Sequence, residues 1–469
     1  MIWTRATRIR ILGRMNVHTY DTKDIIYALA TAWGTAPIAV IRISGQGCVE
    51  ALKPLFSRPE ALGASASHTV LHGDLIDPKY KNPIDEVLVT VFRDGRGYTG
   101  EESVEISCHG SIPGIESIFA QLKDVGMRPA SPGEFTFRAF MHGRMDLTRA
   151  EAVMEIVSSQ SRLSHSLALG RLEGNLFSLI EEIKQQVLQV VSMVELQLDY
   201  AEDEIADDVA FPFEALEEAK RRIDALLSTY EMGKLYGEGA RVVLAGATNA
   251  GKSTLFNLLL REERSIVSEV HGTTRDFIES KTVLDGIPVR LYDTAGLRES
   301  SDAIEMEGIR RTRKLLSEAD LILLMLDGTE HDDTSVSQYR HLLEDPRCIL
   351  VWNKTDLTTK PPAKGSYPLS AKRGEGFATL RDEMVRRLTK ETDRPDGQAL
   401  VIESSRQRDE LKHASDALVR AVALAREELP MDIVAVELAE ALHALGSLTG
   451  EVASDDILER IFSRFCVGK

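Results

Sequence analysis

Apolar and polar residues change rhythm along this chain, and the changes divide it into regions. Near the start, Ile38–Ile43 and Glu86–Phe92 are dense in β-branched residues, and Ser103–Cys108 alternates polar with apolar, the period of two of a half-buried strand. Helical stretches lie between and after them, so residues 24–140 are expected to form an α+β unit. From Leu147 to about Tyr230 apolar positions recur at three and four. Leu176, Leu179, Ile180, Ile183, Val187, Val190, Val191, Val194 and Leu198 predict amphipathic helices packed as a bundle. Gly233, Gly237 and Gly239 are expected to end that helical run. Strand–helix alternation follows to about Leu388, then a polar linker with Pro and Gly at Thr392–Gln398, and residues 401–466 are helical again. That last region makes a thin core alone. The economical arrangement packs it against the helices of 147–230, with the α/β region inserted between them. The expected fold class is therefore multidomain α/β: a disordered extension at 1–23, an α+β domain at 24–140, a helical domain from 141–235 and 393–469, and an inserted module at 236–392.

Composition narrows the function classes. Of 469 residues, 56 are Lys or Arg and 73 are Asp or Glu, a net charge of −17. A chain this acidic is no passive polyanion binder, because non-specific nucleic-acid affinity comes from neutralising phosphates. Contact with RNA needs a local basic surface or a partner that supplies one. Cys48, Cys108, Cys348 and Cys466 are scattered without a C-x-x-C pair, which argues against a zinc ribbon or a disulfide framework and fits a reducing cytoplasm. No apolar run approaches the ~18 residues that span a bilayer. Met1–Arg14 carries four arginines and no acid, a composition shared by transit peptides and by simple disordered extensions, with Met15 an alternative start.

The chemistry is written most clearly after Arg241–Ala245, which reads as a strand. Gly246-Ala-Thr-Asn-Ala-Gly251-Lys252-Ser253 follows at once and leads into a helix, the context that a G-x-x-x-x-G-K-S phosphate loop requires. The glycines let backbone N–H groups curl around phosphates, and the helix N-terminus adds positive potential. Lys252 is expected on the β- and γ-phosphates and the Ser253 hydroxyl on Mg²⁺. Val289–Asp293 is a strand that ends in Asp293-Thr294-Ala295-Gly296, with the carboxylate facing Mg²⁺ through water and the Gly296 amide sensing the γ-phosphate. Gly272-Thr273-Thr274-Arg275-Asp276 lies where a switch segment belongs, with Thr274 as the second hydroxyl on Mg²⁺. Cys348–Trp352 reads as a buried strand leading into Asn353-Lys354-Thr355-Asp356. A carboxylate at Asp356 accepts two hydrogen bonds from guanine's ring N–H and exocyclic amine, a pair that adenine does not offer. Ser370-Ala371-Lys372 follows at a spacing suited to closing over the base. Five elements in order, each at a strand end, mark a P-loop GTPase. One position departs from the Ras-like plan: Leu297 stands where a glutamine would orient the attacking water, and leucine makes no hydrogen bond.

With their flanks, these motifs closely resemble the MnmE (TrmE) family of bacterial tRNA-modification GTPases. The likeness runs from about Asp24 to Lys469. It rests on Asp24–Thr31 with Ile41-Arg42-Ile43-Ser44-Gly45, and on Tyr98-Thr-Gly-Glu-Glu102 through Cys108-His-Gly110. It also rests on Pro132-Gly-Glu-Phe135 through Arg138-Ala-Phe140, on Asp146-Leu147, and on the terminal Phe465-Cys466-Val467-Gly468-Lys469. The resemblance implies a folate-binding, dimerising N-terminal domain and a helical domain made of two chain segments around an inserted G domain. It implies delivery of a one-carbon unit from a tetrahydrofolate derivative (5-formyl- or methylene-tetrahydrofolate) to the wobble uridine of tRNA. An FAD-dependent partner, MnmG (GidA), joins in a heterotetramer, and the product is aminomethyl or carboxymethylaminomethyl uridine. Folate contacts fall on Arg42, Glu105, Arg144 and Lys469, and potassium falls on Asn249, Ser268, Val270 and Thr273. Nucleotide contacts extend over Asn249, Ala250, Gly251, Lys252, Ser253 and Thr254. They continue through Ser268, Glu269, Val270, His271, Gly272, Thr273 and Thr274, then Asp293, Thr294, Ala295 and Gly296, then Asn353, Lys354, Thr355 and Asp356, and finally Ser370, Ala371 and Lys372. Candidate catalytic side chains are Arg275 and Asp276 of the switch segment, Glu305 as the water-positioning acid, and Cys466. Two departures are visible: Ala32–Pro37 replaces the family's glycine-rich stretch, and Arg144 replaces its usual lysine.

Each assignment has a plainer counterpart. Cys466 without its Gly-Lys neighbours is a structural thiol at a helix end, Glu105 a solvated strand residue, and Glu305 a first-turn helix acid favoured by the macrodipole. The acidic run Glu202–Asp208 is a solvated loop. A ribosome-assembly GTPase of the Era type would instead carry a basic KH module after the G domain, whereas 401–469 reads as helical and mixed in charge. A nucleotide-operated switch without modification chemistry is the rival from another class.

Overall fold

The computed structural model describes residues 22–199, 211–262, 278–293, 313–329, 339–390 and 395–468. They form two compact units, one within 22–154, 171–220 and 413–468, the other within 155–170 and 221–412.

The first unit begins with a six-stranded sheet, β1 (Ile26–Leu29), β2 (Ala36–Ser44), β3 (Thr69–Ile76), β4 (Pro83–Phe92), β5 (Ser103–Gly110) and β6 (Arg128–Pro129), in the order β3-β4-β5-β2-β1-β6. The strands pair antiparallel except for β1 with β6. Alternation does what the pattern requires: Ile41, Ile43, Val87, Val89, Val91, Val104 and Ile106 are buried together with Ile115, Ile118 and Leu122 of helix α1 (Ile112–Asp124). The opposite face keeps the polar set, and the β2–β5 register sets Arg42 against Glu105 on it. Strand β3 had no clear alternating signal in the sequence, and it forms as the edge partner of β4.

Helix α2 (Glu134–Met141) carries charge into the interior, with Glu134 and Arg138 both fully buried. The Arg138 guanidinium donates to the Asp24 carboxylate at 2.7 Å and to Glu134 at 2.9 Å. Arg128 adds a second guanidinium, donating to Glu134 at 2.6 Å and also bonding Asp24. Burial pushes the Asp24 carboxyl up, but the two arginines outweigh it and hold it below the ordinary 3.8. Helices α3 (Leu147–Ser158) and α4 (Asn175–Asp199) follow, and α4 packs along a later helix, α10 (Met431–Thr449). The buried positions of α4, namely Leu176, Ile180, Ile183, Val187, Val190 and Val194, are those marked by the three–four spacing. Small residues on α10 (Ala441, Ala444, Gly446, Ser447) are buried as well.

The second unit holds another six-stranded sheet: β7 (Ala240–Gly246), β8 (Ile278–Leu284), β9 (Ile287–Asp293), β10 (Leu321–Asp327), β11 (Cys348–Asn353) and β12 (Tyr367–Pro368), in the order β12-β11-β10-β7-β9-β8. All neighbours are parallel except β8 and β9. The strands read as continuous apolar runs because both faces are covered: all seven residues of β10 are buried. The glycines expected to stop the preceding helix do not all do so. Helix α6 (Tyr230–Gly237), which follows α5 (Phe213–Ser228), passes through Gly233. Gly233 is there for close approach, since a Cβ would stand 2.1 Å from the Ile402 carbonyl oxygen. The chain turns only at Gly239, left-handed at φ 80°. The linker expected at 392–398 falls partly outside the described residues.

Arg138→Met should lower stability by about 1–3 kcal/mol in urea unfolding, because it leaves the buried Glu134 carboxylate and Asp24 to share the single guanidinium of Arg128. A loss below about 1 kcal/mol would mean that the cluster is effectively solvated.

Candidate functional site

Strand order decides where the second unit can bind a ligand. From β7 the chain proceeds to β8 and β9 on one side and to β10, β11 and β12 on the other, so β7 lies at the point where the winding reverses. Ligands of open parallel sheets bind beyond the C-terminal ends of such strands. The register brings Gly246 opposite Met325, Asp293 opposite Leu244, and Asn353 opposite Asp327, so four strand ends finish together.

The loop from Gly246 to Gly251 joins β7 to helix α7 (Lys252–Glu262). Its curl requires left-handed backbone at Gly246 (φ 136°), Asn249 (φ 63°) and Gly251 (φ 96°). Glycine is also sterically obligatory at both ends, where a Cβ would lie 2.3 Å from the Met325 carbonyl oxygen and 2.1 Å from Asn353 Nδ2. Lys252 is buried, and its ammonium donates to the Gly246 and Ala247 carbonyls at 3.1 and 2.8 Å. The Ser253 hydroxyl donates to Asp293 Oδ2 at 2.9 Å, which joins the phosphate loop to the end of β9. Two hard oxygens side by side at a helix N-terminus suit a divalent cation and the phosphates it accompanies.

Asn353 locks the pocket. Its side-chain amide donates to the Ala250 carbonyl at 2.8 Å and its oxygen accepts from the Ala371 N–H at 3.0 Å, both buried. One residue thus clamps the phosphate loop to the Ser370–Lys372 turn. Ser370 in turn donates to Asp356 Oδ1 at 2.7 Å, and this bond holds the Asp356 carboxyl below the usual carboxylate range, with Arg373 3.8 Å from Oδ2. A fixed, ionised carboxylate is the acceptor that guanine's two N–H groups need. Lys354, at φ 64°, pairs with Asp327. Burial pushes the Asp327 carboxyl up, but the bonds from Lys354 and Thr329 dominate and keep it ionised. Sequence reasoning missed Asp327 and Arg373. The first had a usable signal, a lone acid closing the apolar run Leu321–Leu326. Ala250 and Gly251 belong to the loop before helix α7, Thr254 to the first turn of that helix, and Thr355 and Lys372 follow β11 and β12. Ser268, Glu269, Val270, His271, Gly272, Thr273, Thr274, Arg275, Asp276, Thr294, Ala295, Gly296, Leu297 and Glu305 lie outside the described residues, as does Lys469.

The first unit builds a separate cationic site on its sheet. Arg42 Nε donates to Glu105 Oε1 at 3.0 Å, and the guanidinium lies over the Tyr98 ring at 5.2 Å and Phe135 at 5.8 Å. Another Arg42 nitrogen donates to the Gly468 carbonyl at 3.4 Å, so the chain's last described residue is bound on the strand pair. The tail is anchored first by Phe462, at the end of helix α11 (Asp455–Phe462), and by Phe465 just after it, both buried with Phe137 and Phe140. It then passes Gly133, whose N–H reaches the Cys466 carbonyl at 3.5 Å. The Cys466 thiol is exposed. Arg144 is exposed too, its side chain running past Gly100 in the loop that carries Tyr98. Tyr98 and Phe135 were not anticipated as the surface on which Arg42 rests. Among the described residues no cluster of three or more His, Cys, Asp or Glu is placed to hold a metal.

Residues 25–144 match the family described as GTP-binding protein TrmE N-terminus, and residues 147–466 match the MnmE helical domain. The tRNA modification GTPase MnmE of Treponema denticola is 40% identical, covering 97% of this chain and 100% of that protein. Its counterpart from Carboxydothermus hydrogenoformans is 38% identical, covering 95% of this chain and 100% of the relative. The chain belongs to the MnmE (TrmE) family. It is a GTPase of the tRNA-modification type, with the mixed α/β class expected from its sequence. Among solved structures, the G domain of the FeoB iron transporter of T. maritima is 27% identical and covers 32% of this chain and 98% of that one, with a TM-score of 0.26. No helix among the described residues is long and apolar enough to cross a membrane.

For this MnmE-family chain, Asn353→Ala should weaken GTP binding by about 10–100-fold in fluorescent-nucleotide titration, since it leaves a buried carbonyl and a buried N–H unpaired. Unchanged affinity would show that the clamp is dispensable.

Proposed function

We propose that this chain hydrolyses GTP to drive modification of the wobble uridine of tRNA at C5, adding an aminomethyl or carboxymethylaminomethyl group together with an FAD-dependent partner of the MnmG (GidA) type. The chain acts as a homodimer in the cytoplasm, and the partner joins it in a heterotetramer. The observation that carries this reading is the bridge from Arg42 to both Glu105 and Gly468. A plain nucleotide switch has no need to hold its C-terminus on a second polar site.

At the nucleotide pocket Lys252 meets the β- and γ-phosphates, and Ser253 beside Asp293, with Thr274, holds Mg²⁺. Asp356 selects guanine while Ser370, Ala371 and Lys372 close over the base. Asn249, in its left-handed turn of the phosphate loop, shares potassium with Ser268, Val270 and Thr273. Leu297 cannot orient water, so Glu305 takes that role, and the cation meets the charge that builds up on the phosphates. Arg275 and Asp276 belong to the same switch segment.

At the sheet site Glu105 accepts hydrogen bonds from the N–H edge of a pterin, and Arg42 keeps it ionised and aimed. Arg144 and Lys469 supply positive charge for the glutamate tail. When bound, the reduced folate supplies the one-carbon unit. Cys466 acts on the reacting groups, a role that its exposed thiol supports.

Nucleoside mass spectrometry of tRNA from cells lacking this gene should show loss of the C5-modified wobble uridine. Wild type should restore it, and neither Glu105→Ala nor Cys466→Ser should. Restoration by both variants would overturn the folate site. Hydrolysis should run at least about tenfold faster in KCl than in NaCl at equal ionic strength, and Glu305→Ala should lose about tenfold or more in turnover with nucleotide affinity kept. Equal rates in both salts together with an unimpaired variant would remove the basis for the cation and the acid.

A further inference from the structure

The end of helix α2 is a Schellman turn: the Gly143 N–H bonds to the Phe140 carbonyl and the Arg144 N–H to the Ala139 carbonyl, each at 2.9 Å, with Gly143 at φ 67°. The left-handed glycine folds the chain back and sets its two neighbours side by side. Both lie over Gly100, where a Cβ would stand 2.9 Å from His142 Cβ and 3.1 Å from Arg144 Cγ. Gly100 is left-handed at φ 80° and lies two residues from Tyr98, the ring beneath Arg42.

His142 is exposed, and its Nδ1 lies 3.0 Å from the Thr99 carbonyl oxygen. A carbonyl only accepts, so Nδ1–H donates to it, and Nε2 is the nitrogen left for a ligand. Among the described residues, neither Nε2 nor the Arg144 guanidinium has a hydrogen-bond or ionic partner. The other charged groups of this corner are engaged elsewhere: Glu101 accepts from Ser44 and Arg138, and Arg138 also bonds Asp24 and Glu134. The site is therefore polarised. A carboxylate, Glu105, offers acceptors at one end, and over the adjoining loop the open Nε2 of His142 stands beside an Arg144 guanidinium that has no partner among the described residues.

We infer that His142 is a specificity-determining residue that reads the glutamate tail of a reduced folate, Nε2 taking one carboxylate while the planar fork of Arg144 takes the other. This deepens the folate reading and rests on it. A hydrogen bond between Nε2 and that carboxylate is open only to a ligand that carries the glutamate, so the residue separates the glutamyl compound from one without the tail.

The test is calorimetry on the full-length protein with 5-formyltetrahydrofolate and with 5-formyltetrahydropteroate, which lacks the glutamate. The proteins are wild type and His142→Asn, whose amide keeps an N–H for the Thr99 carbonyl but has nothing at Nε2. The variant is expected to bind the pteroate compound as wild type does and to lose about 3–10-fold with the glutamyl compound. Equal losses for both compounds would make His142 a prop for the Thr99 loop and overturn the inference. An unchanged variant would overturn it too, as would a loss of tRNA affinity with folate affinity intact. If wild type bound neither compound, the folate reading itself would fall, and this inference with it.

Discussion

The nucleotide pocket depends on the side-chain amide of Asn353. The phosphate loop and the Ser370–Lys372 turn belong to different strand ends, and nothing in the sheet's own hydrogen bonding ties them together. A buried amide that donates to the Ala250 carbonyl and accepts from the Ala371 N–H does so. The consequences spread outward. Gly251 has no side chain because Asn353 Nδ2 occupies that space. The turn held by Ala371 carries Ser370, whose hydroxyl fixes Asp356. The shape of the loop and the setting of the Asp356 carboxylate thus rest on one interaction in a buried place, where an unmade hydrogen bond costs the most.

The sheet site of the first unit has a comparable economy built from charge. Arg138 and Arg128 hold the buried Glu134 and the half-buried Asp24, and this cluster ties the start of β1 to helix α2. Helix α2 in turn presents Phe135 to Arg42, and the loop of Tyr98 is held by the Tyr98–Thr136 hydroxyl pair and by His142. Arg42 can then bridge Glu105 and the carbonyl of Gly468 with little freedom of its own. Buried ion pairs contribute modestly to stability, because desolvation offsets their attraction. Here their value is geometric: they fix which groups face the site.

Much of this could be read from the chain. Apolar runs in β10 and β11, and the three–four spacing of α4, depend only on neighbours in sequence, and so they were legible. The phosphate loop was equally plain, because its glycines answer a local steric demand. Gly233 misled for the opposite reason. Its missing side chain answers to the Ile402 carbonyl, far along the chain, and no local pattern shows that. Strand β3 lacked a sharp alternation because an edge strand with one solvated face tolerates mixed residues.

The sequence by itself therefore marked most of the elements, the phosphate-loop motif and the Asn353–Asp356 motif, since each is encoded in a short stretch whose physics is contained within it. Tertiary structure decided which distant groups act as one. It set Asn353 between two loops, laid the Gly468 carbonyl on Arg42, and turned His142 and Arg144 side by side over Gly100. Such meetings depend on register, on a left-handed glycine and on the docking of a tail, where small displacements separate hydrogen-bond partners. A linear chain states which groups it owns, and only the folded one fixes the distances at which they interact.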